Sequence, residues 1–375
     1  MTQVMESVTG SEATAPTRWY SANGAPPPRR IVTADDTIGA AEAYRLIGEG
    51  TALLWRGDYP SARRLLAALG RRIDRRHSPS PLPPTLADAY RLHRSEQARR
   101  ARLLGMLLIP YEAGWAIPLR RAPLVAEACI QAHGPFAGPG VGSLRELLGV
   151  IGAYEWRRKG VVIPALGGDR IHPHYGVFSP VRGEYLDLVA EAELPAGYTA
   201  FDIGTGTGVL SAVLARRGLR HIVATDQAAR AVDCARDNIA RLGLAHRIAV
   251  RHADLFPAGR AHLIVCNPPW LPGRPRTPLD QAVYDPDSRM LRGFLTGLPD
   301  HLEPGGEGWL ILSDLAERLG LRSRTELGDA IAAAGLRVVS RTVTKPRHAR
   351  STDASDPLHS ARAAEVTSLW RLRAD

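Results

Sequence analysis

At 375 residues, the chain is longer than one ordinary compact core and points to two domains. Hydrophobic residues make up 45% of it, enough for a sizeable core, yet no apolar run approaches the ~18 residues of a membrane span; no membrane association and a cytoplasmic location are expected. The formal charge of +10 favours an anionic partner such as nucleic acid, although Lys159 and Lys345 are the only lysines and a GC-rich coding bias also produces an arginine excess. Cys129, Cys234 and Cys266 are too widely spaced for a disulfide framework or a zinc cluster. His172 and His174 have no third partner nearby, so no metal site is expected.

Residues 1–30 are rich in Pro, Gly, Ser and Thr, include Pro26-Pro27-Pro28-Arg29-Arg30 and contain no signal-peptide core; they are expected to form a disordered leader. From Thr33 to Leu69 the apolar positions Ile38, Ala41, Leu46, Ala52, Leu53, Leu65, Leu66 and Leu69 recur at near-helical spacing, broken at Gly57-Asp58-Tyr59-Pro60. This predicts a helical hairpin, similar to one tetratricopeptide helix pair but without a second copy. Prolines 79, 81, 83 and 84 interrupt the pattern before a helix from Leu86 to Leu104. Between Arg63 and Arg102, eleven arginines face Asp74, Asp88 and Glu96, a local excess of +8 that suits a solvated helical face or a binding patch. Met106 to Leu119 reads as short strands and turns, and Leu144 to Trp156 as helix. Residues 31–160 are thus expected to form a mainly helical domain.

Residues 161–375 alternate. Strands are predicted near 199–203, 220–225, 246–251, 261–266, 307–312, 336–343 and 365–372, with helices between the first six. That order predicts an α/β fold with a seven-stranded, mostly parallel, Rossmann-like sheet covered on both faces.

The first of these strands carries Asp202 and runs into Gly204-Thr205-Gly206-Thr207-Gly208, followed directly by the helical run from Val209. A glycine-rich turn between strand and helix lets the backbone approach a ligand and aims amide groups at it. The spacing departs from the GxGxxG turn of dinucleotide-binding domains. Asp226 ends the second strand, where a carboxylate could accept two ribose hydroxyls; Asp254-Leu255-Phe256 follows the third, where an acid and two apolar side chains could hold adenine. Singly, such acids also serve as strand ends and helix caps. At successive strand ends they point to one crevice beyond the sheet.

The fourth strand ends in Asn267-Pro268-Pro269-Trp270. Here the sequence resembles the class I S-adenosylmethionine-dependent methyltransferases that modify planar nitrogen. A nitrogen conjugated with a π system is a poor nucleophile, and acceptors on its hydrogens favour the geometry it needs for attack. The resemblance implies that Asn267 Oδ1 and the Pro268 carbonyl are those acceptors, that Trp270 stacks on the target, and that S-adenosyl-L-methionine is the cofactor. His174-Tyr175-Gly176-Val177-Phe178-Ser179-Pro180, Asp202-Ile203-Gly204-Thr205-Gly206-Thr207-Gly208, and Tyr284-Asp285-Pro286 leading to Leu302-Glu303-Pro304-Gly305-Gly306 are similar to release-factor glutamine methyltransferases and related RNA guanine and adenine methyltransferases. Phe178, Asp202, Gly204, Thr205, Gly206, Gly208, Asp226, Asp254 and Leu255 are accordingly expected at the cofactor. Trp270 stands where the glutamine enzymes usually carry tyrosine.

The expected function is N-methylation of a macromolecule, with an RNA base placed ahead of a protein glutamine; the arginine-rich helices and Pro272-Gly273-Arg274-Pro275-Arg276 motivate RNA. An NAD-dependent oxidoreductase and a non-catalytic binding module remain as alternatives. The oligomeric state is open.

Overall fold

The computed structural model describes residues 3–5, 17–75, 83–181, 183–346 and 356–375. They divide into two compact units, Met1–Pro83 with Arg91–Glu155 and Pro84–Tyr90 with Trp156–Asp375.

The first unit is organised around a six-stranded sheet where a mainly helical domain with short strands only within Met106 to Leu119 is expected. Its elements are β1 (Gln3–Met5), β2 (Thr17–Tyr20), β3 (Arg30–Ala34), α1 (Ala40–Gly48), β4 (Thr51–Trp55), α2 (Tyr59–Arg75), α3 (Leu86–Leu104), β5 (Leu107–Tyr111), α4 (Ala126–His133), β6 (Gly140–Ser143) and α5 (Leu144–Lys159). The last part of α5 and the first of α3 fall in the second unit. The sheet order is β1-β2-β6-β5-β4-β3, with β3, β4 and β5 parallel. The expected helical hairpin therefore contains a strand: all five residues of β4 are buried, and a strand covered on both faces is a continuous apolar run that periodicity cannot tell from helix. Tyr59 and Pro60 open α2 rather than break it, since proline is tolerated in a first helical turn.

The leader expectation is also corrected for its described part. Thr17–Tyr20 pairs in parallel with β6, Trp19 and Tyr20 are buried, and an acid on α5 secures the residues just after them. Glu146 accepts hydrogen bonds from Ser21 Oγ at 2.9 Å and from the backbone N–H groups of Ala22 and Asn23. Residues 6–16 and the prolines at 79 and 81 lie outside the described residues.

The second unit begins with the short pair β7 (Val161–Val162) and β8 (Arg170–Ile171). After them come α6 (Glu184–Glu191), β9 (Thr199–Ile203), α7 (Val209–Arg216), β10 (His221–Asp226), α8 (Ala229–Arg241), β11 (Ile248–His252), β12 (Ala261–Cys266), β13 (Leu271–Pro272) and β14 (Tyr284–Asp285). The unit closes with α9 (Arg289–His301), β15 (Leu302–Ser313), α10 (Leu315–Arg318), α11 (Glu326–Ala333), β16 (Leu336–Thr344), α12 (His359–Ala363) and β17 (Thr367–Ala374). Its sheet has seven strands in the order β11-β10-β9-β12-β15-β17-β16, parallel except for β17, which is antiparallel to both neighbours. The helix expected between the third and fourth strands is absent: Ala253 to Arg260 is a loop containing Pro257 and Gly259, too short for a crossover helix. The strand order reverses beside β9, so the carboxyl ends of β9 and β12 splay into a crevice.

The antiparallel strand is tied in by charge. Glu307 on β15 is fully buried and accepts from Arg371 Nε at 2.7 Å and Arg373 Nη2 at 2.7 Å on β17, and from Trp309 Nε1 at 3.0 Å. Burial alone would raise the Glu307 carboxyl; the hydrogen bonds from Arg371, Trp309 and Arg373 outweigh it and hold it below its ordinary value. A carboxyl depressed in the folded state contributes stability above its unfolded pKa, and that stability is lost as pH falls through the folded pKa. Glu307→Gln is expected to lower stability at neutral pH by about 3 kcal/mol and to flatten the acid limb of a melting-temperature-against-pH curve; an unchanged acid limb would remove Glu307 from this role.

Candidate active site

A cavity of about 540 Å³ opens at the carboxyl ends of β9, β10 and β12, and all its lining residues belong to the second unit. Gly204, Thr205, Gly206, Asp226, Asp254, Leu255, Asn267, Pro268, Trp270 and Phe178 all line it. One crevice therefore gathers the glycine turn, both strand-end acids and the Asn-Pro-Pro-Trp corner, as well as Gly176 and Val177 from the segment leading into the fold.

The turn is shaped by its neighbour strand. The N–H groups of Gly204 and Thr205 both donate to the Thr225 carbonyl at 2.9 Å, and Gly206 N donates to Asp226 Oδ2 at 3.0 Å. Asp226 Oδ1 accepts from Ala228 N at 2.9 Å. Each carboxylate oxygen keeps a lone pair beyond these bonds. Burial pushes the Asp226 carboxyl up, while hydrogen bonds from Ala228 and Gly206 pull the other way.

Two expected cofactor residues stand behind the cavity wall. Asp202 is completely buried, and its Oδ2 accepts from Thr205 Oγ1 at 2.7 Å, Ser211 N at 3.0 Å and Ser211 Oγ at 2.6 Å. It braces the turn against α7; burial raises its carboxyl despite those bonds. Gly208 caps α7 with φ +81, and a Cβ there would lie 3.3 Å from Ala235 Cα and Cβ. It lets α7 and α8 pack, whereas a Cβ on Gly206 (φ +56) would meet nothing within 4 Å.

At the third strand Leu255 lines the cavity at φ 65, a conformation that costs a leucine energy, with its carbonyl held by Thr225 Oγ1 at 2.6 Å. Phe256 turns away and stacks on His301 at 4.3 Å, so only one of the two apolar residues expected around an adenine lines the cavity. The Asp254 carboxylate is paired with Arg289, and both are half-exposed.

At the fourth strand Trp270 Nε1 donates to Asn267 Oδ1 at 2.8 Å. β13 and β14 come next, bringing Leu271 beside Tyr284. Asp285 then caps α9, accepting from Met290 N at 3.0 Å and Leu291 N at 3.1 Å. The far wall comes from residues that carry no local motif: Tyr90 of α3, Leu315 and Leu319 at α10, and Leu358, Arg362 and Glu365 around α12. His172 and His174 are engaged elsewhere, with the Arg157 carbonyl at 2.7 Å and Asp237 Oδ2 at 3.2 Å.

A mostly parallel sheet with its crevice at a strand-order switch, a glycine turn and a carboxylate on the neighbouring strand define a nucleotide-cofactor-binding α/β unit. Residues 170–319 match the methyltransferase small domain family. The release factor glutamine methyltransferase of Cereibacter sphaeroides is 33% identical over 173 residues, which is 42% of this chain and 60% of that one. Ribosomal RNA small subunit methyltransferase C of Alcanivorax borkumensis is 36% identical over 112 residues, 29% of this chain and 30% of that one. A protein assigned as an N5-glutamine methyltransferase in Methanocaldococcus jannaschii is 30% identical over 162 residues, 41% of this chain and 81% of that one. The chain thus belongs to the methyltransferase small domain family, which has the class I S-adenosylmethionine-dependent fold. It spans under two thirds of the first two relatives.

The cavity fits that cofactor in its donor set: an acidic strand end with free lone pairs, an apolar wall at Leu255 and a cradle above Gly206 that a side chain would fill. Gly206→Ala should cost only the ~1–2 kcal/mol of a left-handed alanine yet weaken S-adenosylhomocysteine binding in calorimetry about tenfold or more. Gly208→Ala should do the reverse, losing more stability than affinity. Equal effects at both positions would contradict the assignment of one glycine to the ligand and the other to packing.

Proposed function

We propose that the second unit transfers a methyl group from S-adenosylmethionine to a planar nitrogen of a macromolecule, with an RNA base as the acceptor. The observation that carries this reading is the meeting, in one crevice, of the glycine turn with the Asn267-Pro268-Pro269-Trp270 corner.

Asp226 would accept the ribose hydroxyls, Leu255 and Phe178 would flank the adenine, and the Gly204–Gly206 backbone would pass beneath the cofactor. When bound, the cofactor supplies an electrophilic methyl carbon on a positively charged sulfur. The protein's part is to present the acceptor. Asn267 Oδ1 and the Pro268 carbonyl take the hydrogens of the target nitrogen, loosening its lone pair from the ring, and the Trp270 face holds the plane, a stack worth ~1–3 kcal/mol per base. The apolar side chains of Tyr90, Leu315, Leu319 and Leu358 in the far wall would limit water at the transferring group.

Arginines support RNA. In the loop after the corner, Arg274 and Arg276 are exposed, and in the first unit α2 and α3 turn Arg63, Arg64, Arg71, Arg75, Arg91, Arg99 and Arg102 to solvent. Protein glutamine is the second reading, favoured by the names of two of the relatives above.

Incubation with labelled cofactor and fractionated cell extract tests the proposal. Label is expected in the RNA fraction, falling steeply with salt because phosphate contacts release counterions; equal incorporation into RNase-treated and untreated extract would transfer the assignment to protein. Asn267→Ala should lower the transfer rate by about 10²-fold with S-adenosylhomocysteine affinity retained, whereas Asp226→Ala should lose that affinity.

A further inference from the structure

We propose that Trp270 is a positioning residue as well as a stacking surface: its indole N–H fixes the Asn267 side chain with oxygen, rather than nitrogen, at the acceptor corner. The inference rests on the methyl-transfer reading above.

A primary carboxamide presents an oxygen and an NH₂ group of nearly equal shape, and only its hydrogen bonds decide which faces where. At this corner the two ends have opposite consequences. Oxygen accepts a hydrogen of the target nitrogen; NH₂ would repel it. The indole Nε1 can donate and never accept, so its 2.8 Å bond to Asn267 is satisfied by Oδ1 alone. One lone pair of Oδ1 is then used by Trp270, and the second stays for the target.

Control runs from the tryptophan to the asparagine, because the tryptophan is fixed by other means. Its carbonyl accepts from Arg322 Nη2 at 3.4 Å, and Arg322 is buried and paired with Glu317 at 3.3 Å. The next residue, Leu271, donates its N–H to the Val283 carbonyl at 3.1 Å, and the indole itself packs against the hydrophobic clusters on both faces of the sheet. Among the described residues the indole is the one hydrogen-bond partner of the Asn267 side chain. A tyrosine at 270 would not discriminate in this way, since a hydroxyl donates to oxygen and accepts from NH₂ with equal ease.

Trp270→Phe separates the two roles, keeping a flat ring and deleting the N–H. It should lower kcat for the labelled acceptor fraction about tenfold, equivalent to ~1.4 kcal/mol, while KM for that fraction and affinity for S-adenosylhomocysteine stay within about twofold. In an Asn267→Ala background the same substitution should have no further effect on kcat, as expected when one residue acts only through the other. In ¹⁵N-labelled protein the indole resonance missing from W270F should move upfield in N267A, a readout that needs no acceptor. A raised KM with unchanged kcat, additive losses in the double variant, or an indole resonance indifferent to N267A would each overturn the proposal. Wild-type protein that transfers no methyl group would instead sink the methyl-transfer reading, and the indole resonance would still decide whether the bond governs Asn267.

Discussion

The carboxylate of Asp202 is the hinge on which the site depends. Completely buried near the carboxyl end of β9, it accepts from the side chain of Thr205 and from the backbone and side chain of Ser211, binding strand, turn and helix at one point. A buried carboxyl group is tolerated only with such hydrogen bonds, so the turn cannot relax without stranding it. With the turn held, Gly206 N reaches the Asp226 carboxylate, which ties the turn to the second strand. The same carboxylate, capped by Ala228 N, is presented to the cavity in one orientation. Ordering therefore propagates outward from a group that does not itself line the cavity.

How much of the molecule was legible depended on whether the physics was local. The sheet of the second unit follows from alternating apolar runs and turns. Its seven predicted strands overlap the observed ones, and the glycine turn and the Asn-Pro-Pro-Trp corner fall at strand ends where topology converges them. Side-chain direction was harder. Asp202, Gly208 and Phe256 sit inside or beside motifs that touch the cavity, yet they face the other way, and periodicity carries no information about which neighbour of a turn turns inward. The far wall was illegible for another reason: Tyr90, Leu315 and Leu358 come from segments far apart in the chain, none with a signature, and only folding places them together.

The first unit was misread for the opposite cause. Thr51–Trp55 is an entirely buried strand, and burial on both faces erases the alternation that marks a strand, whereas Leu107–Tyr111, equally buried, falls where Pro110 and Gly114 mark short strands and turns. The Pro, Gly, Ser and Thr content of residues 1–30 points to a disordered leader, whereas Trp19 and Tyr20 in the core and the Glu146 carboxylate on the adjoining backbone order the stretch from Thr17 to Asn23. Composition describes an average; two large buried side chains and one half-buried acid are enough to reverse it.

The corner at the fourth strand shows how a short motif sets the polarity of a whole wall. Pro268 and Pro269 carry no backbone N–H, which removes two donors from the place where an acceptor group must sit. The single donor of the Trp270 indole is spent on Asn267 Oδ1. The second lone pair of Asn267 Oδ1 and the Pro268 carbonyl are acceptors at this corner, and an acceptor favours a partner that arrives with hydrogens to donate, because a carbonyl or ring nitrogen placed against it would face lone pairs and lose its water without compensation. A conjugated NH₂ would satisfy both acceptors. On the proposed methyl-transfer reading, a preference for such a nitrogen would be built from what the prolines omit as much as from what the asparagine offers, and it would serve a nucleobase and a glutamine alike; the flat indole and the exposed Arg274 and Arg276 are what favour RNA in that reading.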